Sequence, residues 1–234
     1  DCTFDLNETL EEAINRIKKN SEIAVRQGFT QIILSDKSVS DTKIPIPMLL
    51  SVGAINTYLI SNKLRGHVSI NVQTGEALDT HSFATLLGVG ATTVNPYLAL
   101  DCLYQRFEKQ LFGNFEYEEC IKRYIKSVNS GLLKIMSKMG ISVLSSYRGG
   151  CNFEAVGLSR AIVADYFPGM VSRISGIGVF GIEKKIKELH KKAYQRNVAI
   201  LPIGGLYKYR KSGEDHQFQG NLIWRITELT VLQS

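Results

Sequence analysis

The chain has 234 residues, 44% of them hydrophobic and 21% charged, with 20 Gly and 5 Pro in no fixed period and a mean hydropathy of −0.03. That composition excludes disordered and fibrous chains, and the length suffices to bury about 70–75% of the unfolded surface. The 28 Lys+Arg against 22 Asp+Glu leave +6, too small an excess to imply a nucleic-acid partner by itself.

In chain order, Thr9 and Glu12 form the pattern of a capping box. Leu10, Ala13, Ile14, Ile17, Ala24 and Val25 follow at helical spacing, and Gly28 stands at a natural helix stop. The run 31-QIILSD-36 reads as a buried parallel strand. The Pro-punctuated 44-IPIPML-49 leads into a helix near Leu49–Lys63, and 67-HVSINVQT-74 is a second strand. A short helix over Thr80–Leu87 is stopped by 88-GVG-90, and 92-TTVNPY-97 is a third strand. A long helix over Glu118–Met139 ends at Gly140; 141-ISVLSSY-147 reads as a fourth strand and Phe153–Phe167 as a helix. Beyond a Lys-rich helix, Ile182–Arg196, come a strand-like 198-VAILPI-203 and an extended connector, 206-LYKYRKSGEDHQFQG-220.

Four strand–helix alternations predict an α/β fold with a mostly parallel sheet and flanking helices. Right-handed crossovers place Ser35/Asp36, Gln73/Thr74, Asn95/Tyr97 and Ser145–Arg148 on one edge, where α/β folds hold ligands or partners. The longest apolar runs, such as 44-IPIPMLLSVGAI-55, stop near a dozen residues, short of the about 20 needed to span a bilayer. Cys2, Cys102, Cys120 and Cys151 contain no C-x-x-C pair, a pattern of reduced cytoplasmic thiols. The acidic, polar start DCTFDLNETLEE has no targeting character, and its abruptness points to a piece of something longer.

Chemical motifs are sparse. The G-x-G-x-x-G at 176-GIGVFG-181 precedes a helix, but 170-MVSRIS-175 is a poor strand and no acid follows to hold a ribose. The alternative is a loop whose glycines serve backbone geometry or packing. No P-loop occurs. His81, between Asp79 and Ser82, is a candidate catalytic base or a helix-start residue; sequence neighbours on a helix do not face one another. His67, His190 and His216 are dispersed for a metal site. The basic helices (Lys122, Arg123, Lys126; Lys184, Lys185, Lys187) read as solvated faces without a nucleic-acid motif. From the residues, no catalytic or metal set emerges.

The segment 131-GLLKIMSKMGISVLSSYRGGCNFEAVGL-158 resembles the central domain of the glutamate synthase large subunit. So do 32-IILSDK-37, 44-IPIPMLLSVGAI-55, 83-FATLLGVGATTVNPYLAL-100, 166-YFPGMVSRISGIG-178 and 204-GGLYKYRKSGEDHQF-218. The resemblance implies a domain over residues 1–205, shaped like an incomplete FMN-oxidoreductase-type (TIM-like) barrel. A connector, 206–234, would lead toward an FMN domain. In that family glutamine, 2-oxoglutarate and a reductant give two glutamates, and ammonia moves through a tunnel between glutaminase and FMN domains. The implied role is a structural bridge between those domains, non-catalytic and without a cofactor of its own, since FMN and the 3Fe–4S cluster belong to the flavin domain. Cys2, in the context CTFD, does not resemble the glutaminase nucleophile segment. Expected partners are the glutaminase and FMN domains or chains, with self-association an open outcome; no nucleic acid or membrane is expected. Met48, Thr74, Thr80 and Ser82 are candidate tunnel-wall residues. Two rival readings are an anion- or FMN-binding domain, in which Arg148 and the 145-SSYRGG-150 loop grip the anion, and a docking module for separately encoded parts.

Overall fold

A computed structural model of the chain describes residues 1–195, 203–205, 208–214 and 216. These fall into two units, 1–191 and 192–234. The expected strand at 198–203 lies, except for Ile203, outside the described residues, as does the tail from 220 onward.

The first unit opens with strand β1 (Thr3–Asp5) and helix α1 (Leu10–Arg26), whose start is the predicted box: Thr9 accepts from Glu12 N–H and Glu12 returns the bond to Thr9 N–H. Its end is equally local. Gly28, at φ +91°, lets Gly28 N–H reach Val25 O and Phe29 N–H reach Ala24 O, the paired bonds of a Schellman stop. The buried face is Leu10, Ala13, Ile14, Ile17, Ser21 and Val25. Strand β2 (Gln31–Ser35) follows, then β3 (Lys43–Pro45), which pairs antiparallel with β1. Helix α2 (Met48–Ser61) buries Met48, Leu50 to Ile55 and Leu59, so it is the central helix, apolar all round.

After a 3₁₀ turn at Arg65–His67 come β4 (Ser69–Gln73), α3 (Thr80–Val89), β5 (Thr93–Asn95), α4 (Tyr97–Glu108) and α5 (Tyr117–Lys138). Strands β2, β4 and β5 form a parallel sheet in that spatial order, with Leu34 beside Val72 and Val72 beside Val94. Then α6 (Leu144–Tyr147), β6 (Glu154–Leu158), α7 (Arg160–Tyr166), β7 (Val171–Ile177) and α8 (Val179–Ala193) complete the described elements, β6 and β7 making a parallel ribbon. The fold is α/β with an open parallel sheet; among the described residues no barrel closes. No described helix is long and apolar enough to cross a membrane. In the second unit, Gly204 and Gly205 both take positive φ and Gly204 O accepts from Glu214 N–H.

Three sequence expectations are corrected. Residues 141–147 are not a strand: Gly140 at φ +70° closes α5, and the next turn coils into α6 because Tyr147 is driven into the core, its hydroxyl on Ala84 O and its ring edge against Phe153. Residues 153–167 are not one helix, because Gly157 sits at φ +78° inside β6 and Ser159 caps a new helix, α7, at Ile162 N–H. And 170-MVSRIS-175 does enter a strand, β7. Helix α4, with only Ala99 buried, and the three-residue strands β1 and β3 had no periodic signal to find.

Candidate functional site

The C-terminal edge of the parallel sheet carries a polar cluster built from three strand ends. Asp36 follows β2 and is 3% exposed; Thr74 follows β4 and is fully buried. Thr74 Oγ1 donates to Asp36 Oδ2. Gly75 N–H reaches both Asp36 oxygens at 3.1 and 3.2 Å. Thr74 Oγ1 in turn accepts from Glu76 N–H at 3.1 Å. The cluster then closes on the core helix: α2 begins at Pro47 with no side-chain cap, and Glu76 Oε2 accepts from Met48 N–H at 2.9 Å. A carboxyl at a helix N-terminus is favoured by the exposed N–H groups there. One strand further over, the Tyr97 hydroxyl lies close enough to Asp36 to feel its charge.

Burial sets the titration of this edge. Tyr97 is pushed up to about 12, first by desolvation and then by the neighbouring Asp36 carboxylate and its charge. Glu76 is raised by desolvation, with Met48 N–H working against the rise and the charge on Asp36 adding to it. As a residue Glu76 is exposed, so water screens the effect and only its direction carries meaning. Burial likewise pushes the Cys2 thiol up, away from the thiolate a nucleophile needs. Cys2 and Cys120 are buried, Cys102 and Cys151 exposed. Titration with an aromatic disulfide reagent is therefore expected to show two fast thiols and two that react only on unfolding; a third fast thiol would contradict this burial.

The sequence-derived candidates divide. Met48 and Thr74 come together, linked through Glu76, and both are fully buried. Thr80 and Ser82 lie on the first turn of α3 instead. Thr80 packs where a side chain at Gly131 would stand, and Ser82 donates to the helix's N-cap, Asp79, from its N–H at 2.9 Å and its Oγ at 2.7 Å. Arg148 is not on the sheet edge at all, because the strand expected to carry it there is α6. The loop's amides are also committed, Gly149 N–H to Gly88 O and Gly150 N–H to Tyr147 O.

In the G-x-G-x-x-G, Gly176 lies within β7 against the Gly157 backbone and Gly181 against Ile177. Both glycines serve close packing. His190 bonds Ser40 O at 2.7 Å, while His81 is exposed on α3. Among the described residues no three His, Cys, Asp or Glu side chains are grouped to hold a metal. On the basic helices, Arg123 pairs with Glu119 and Lys187 with Glu183, both at 2.8 Å. Sequence reasoning missed Glu76 and Arg65, neither of which belongs to a periodic pattern.

Residues 1–159 match the family model described as the glutamate synthase central domain. The chain belongs to that family. Over its whole length this central domain is 53% identical to a segment of the glutamate synthase [NADPH] large chain of Azospirillum brasilense, covering 16% of that protein. It is 40% identical to the glutamate synthase [NADPH] large chain of Bacillus subtilis over 93% of its own length and 14% of the relative. To the ferredoxin-dependent, chloroplastic glutamate synthase of Spinacia oleracea it is 39% identical, over 89% and 14%. The chain thus spans 14–16% of the length of these three relatives.

Proposed function

We propose that this central domain is a bridging element of glutamate synthase, holding a glutaminase part and an FMN part in register around an ammonia path. In this reading it works through shape, with no reaction centre of its own. Residues 1–205 form the bridge and 206–234 a connector toward the FMN part. The observation that carries the reading is apolar surface left at two places on a chain that matches only a segment of much longer relatives. Beside the outer edge of β5, which pairs with no described strand, lies a groove of about 440 Å³, lined by Phe83, Leu87, Val94, Leu100, Ile121 and Ile125 among others. On the β6–β7 ribbon, the cross-strand pair Val156 and Ile174 are 65% and 61% exposed. Two-stranded parallel ribbons rarely stand open to water, and contiguous apolar patches mark contact surfaces.

The sheet's C-terminal edge supports the same reading. Its groups satisfy one another, so they brace strands and α2 together. Thr80 and Ser82, half-buried on α3, are the candidates left to form path wall, and an enclosed path keeps ammonia from being trapped as ammonium. The test is a chimera in which this chain replaces the matching segment of the Azospirillum relative. Glutamine-dependent glutamate formation from 2-oxoglutarate should be retained, while the isolated chain with the same substrates and reductant shows none. Turnover by the isolated chain, or a well-folded chimera that splits glutamine yet makes no glutamate with it, overturns the bridging role.

A further inference from the structure

Helix α8 is fastened mainly by polar side chains. Glu183, Lys187 and His190 recur along it at helical spacing, and each grips the backbone of another segment. Glu183 Oε2 accepts from Leu10 N–H at 3.0 Å, Lys187 Nζ donates to Glu8 O at 3.3 Å, and His190 Nε2 bonds Ser40 O at 2.7 Å. Lys187 Nζ also donates to Glu183 Oε1 at 2.8 Å, a partly exposed pair of the kind that holds weakly. Beside this stripe runs a short apolar one, Val179, Ile182 and Ile186, half-buried against the core. It gives out there: Leu189, next in that row, is 66% exposed, and Phe180 is 79% exposed. His190 is the one buried side chain of α8, whereas α2 is buried along most of its length. The joint before the helix is roomy. Gly178, between β7 and α8, has only Ser159 Oγ, at 3.9 Å, near the place where a Cβ would stand.

We infer that α8 is a detachable strap, which swings about Gly178 and leaves α1 as one unit while α1, α2 and the parallel sheet stay folded. Elements with few buried apolar contacts and exposed hydrogen bonds open before the core does. The seam ends on backbone atoms, so redocking needs no side chain of α1 to move. Undocking releases Glu8 O and the first amide of α1. Because α8 is the last described element of the chain, tension on the residues after it acts on this seam first. The strap is a property of the fold that goes beyond the bridging role.

The test is native-state hydrogen exchange of the full chain, read amide by amide across low urea. Leu10 N–H is the reporter, because at the first position of α1 it has no acceptor in its own helix and bonds Glu183 instead. The amides of Ile186, Lys187, His190 and Leu10 should share one opening, at least about 100-fold more frequent than the one that exposes Val52 and Ile55 in α2, with a smaller urea dependence. Ile55→Val weakens the core in docked and undocked forms alike. It should speed α2 exchange about 2–10-fold while the α8 and Leu10 amides keep their rates. Glu183→Ala weakens only the docked form, so α8 and α2 amides should speed up by one common factor of about 2–10, and Leu10 should lose its protection. Amides of α8 that exchange in step with α2, at the same rate and urea slope or in Ile55→Val, overturn the strap. So does an α8 with no measurable protection, or a Leu10 amide that follows the middle of α1 rather than α8.

Discussion

Replacing Asp36 with alanine is expected to lower stability by about 3–5 kcal/mol, the range for removing one partner of a buried polar network. The side chain is 3% exposed and accepts from Thr74 Oγ1 and Gly75 N–H. Alanine strands those donors where water reaches poorly, and each orphaned donor costs about 1–3 kcal/mol. Asp36→Asn separates charge from shape. It keeps the volume and one acceptor oxygen but removes the charge, so Tyr97 should titrate below its wild-type value of about 12. It should stay above the ordinary 10, because desolvation, the larger cause, is untouched.

Linkage fixes the sign of the pH dependence. Tyr97 has its folded pKa above the unfolded one, so its contribution is fully present below about pH 10 and is lost as pH rises toward 12. That alkaline loss should be shallower in Asp36→Asn. Phenolate absorbance titrations, each referenced to a Tyr97→Phe partner, together with urea unfolding along the same pH series, measure both effects. Superimposable tyrosine titrations of wild type and Asp36→Asn would mean that Asp36 does not reach Tyr97.

How much of this was legible in the residues follows from what kind of force decides each element. The ends of α1 rest on short-range groups, Thr9 with Glu12 at one end and Gly28 at the other. A sequence displays those directly, so they are found. The same holds for β2, β4 and β5, whose apolar runs close on polar residues, and their parallel pairing brings Asp36, Thr74 and Tyr97 to one edge. The segment 141–147 fails for the opposite reason. Its Ile and Val favour a strand in isolation, but the anchor is Tyr147 bonding Ala84, 63 positions away, and tertiary burial overrides β-propensity. Arg65 is hidden likewise: its three bonds go to Asn56, Val68 and Gly90, a convergence with no spacing to read. The resemblance to the glutamate synthase central domain came from blocks of specific residues, so it survived errors in the elements that carry them.

Gly53→Ala should destabilise the chain by about 2–3 kcal/mol even though alanine is the better helix former. Gly53 lies inside α2, where exchange to alanine gains about 1 kcal/mol of helix propensity if space allows. Space does not allow. The new Cβ would stand 2.7 Å from Phe167 Cδ1, nearer still to Cε1, and 2.8 Å from Tyr166 O. Phe167 is itself in the core, and Tyr166 O is held by Thr57 Oγ1 at 3.1 Å, so neither neighbour is a free end that swings away. The end of α7 must then move bodily off α2, and overpacking of this kind costs about 1–3 kcal/mol, occasionally more. Gly66→Ala is the control, since nothing lies within 4 Å of its Cβ position, and its stability should change by less than about 0.5 kcal/mol. The decisive comparison is the double variant, Gly53→Ala with Phe167→Leu. Trimming the ring alone leaves a void, whereas trimming it beside the added methyl lets that methyl fill the space. The pair should therefore be more stable than the sum of its singles by about 1 kcal/mol or more. Strict additivity in urea unfolding would show that the close approach of α2 and α7 is not what selects glycine here.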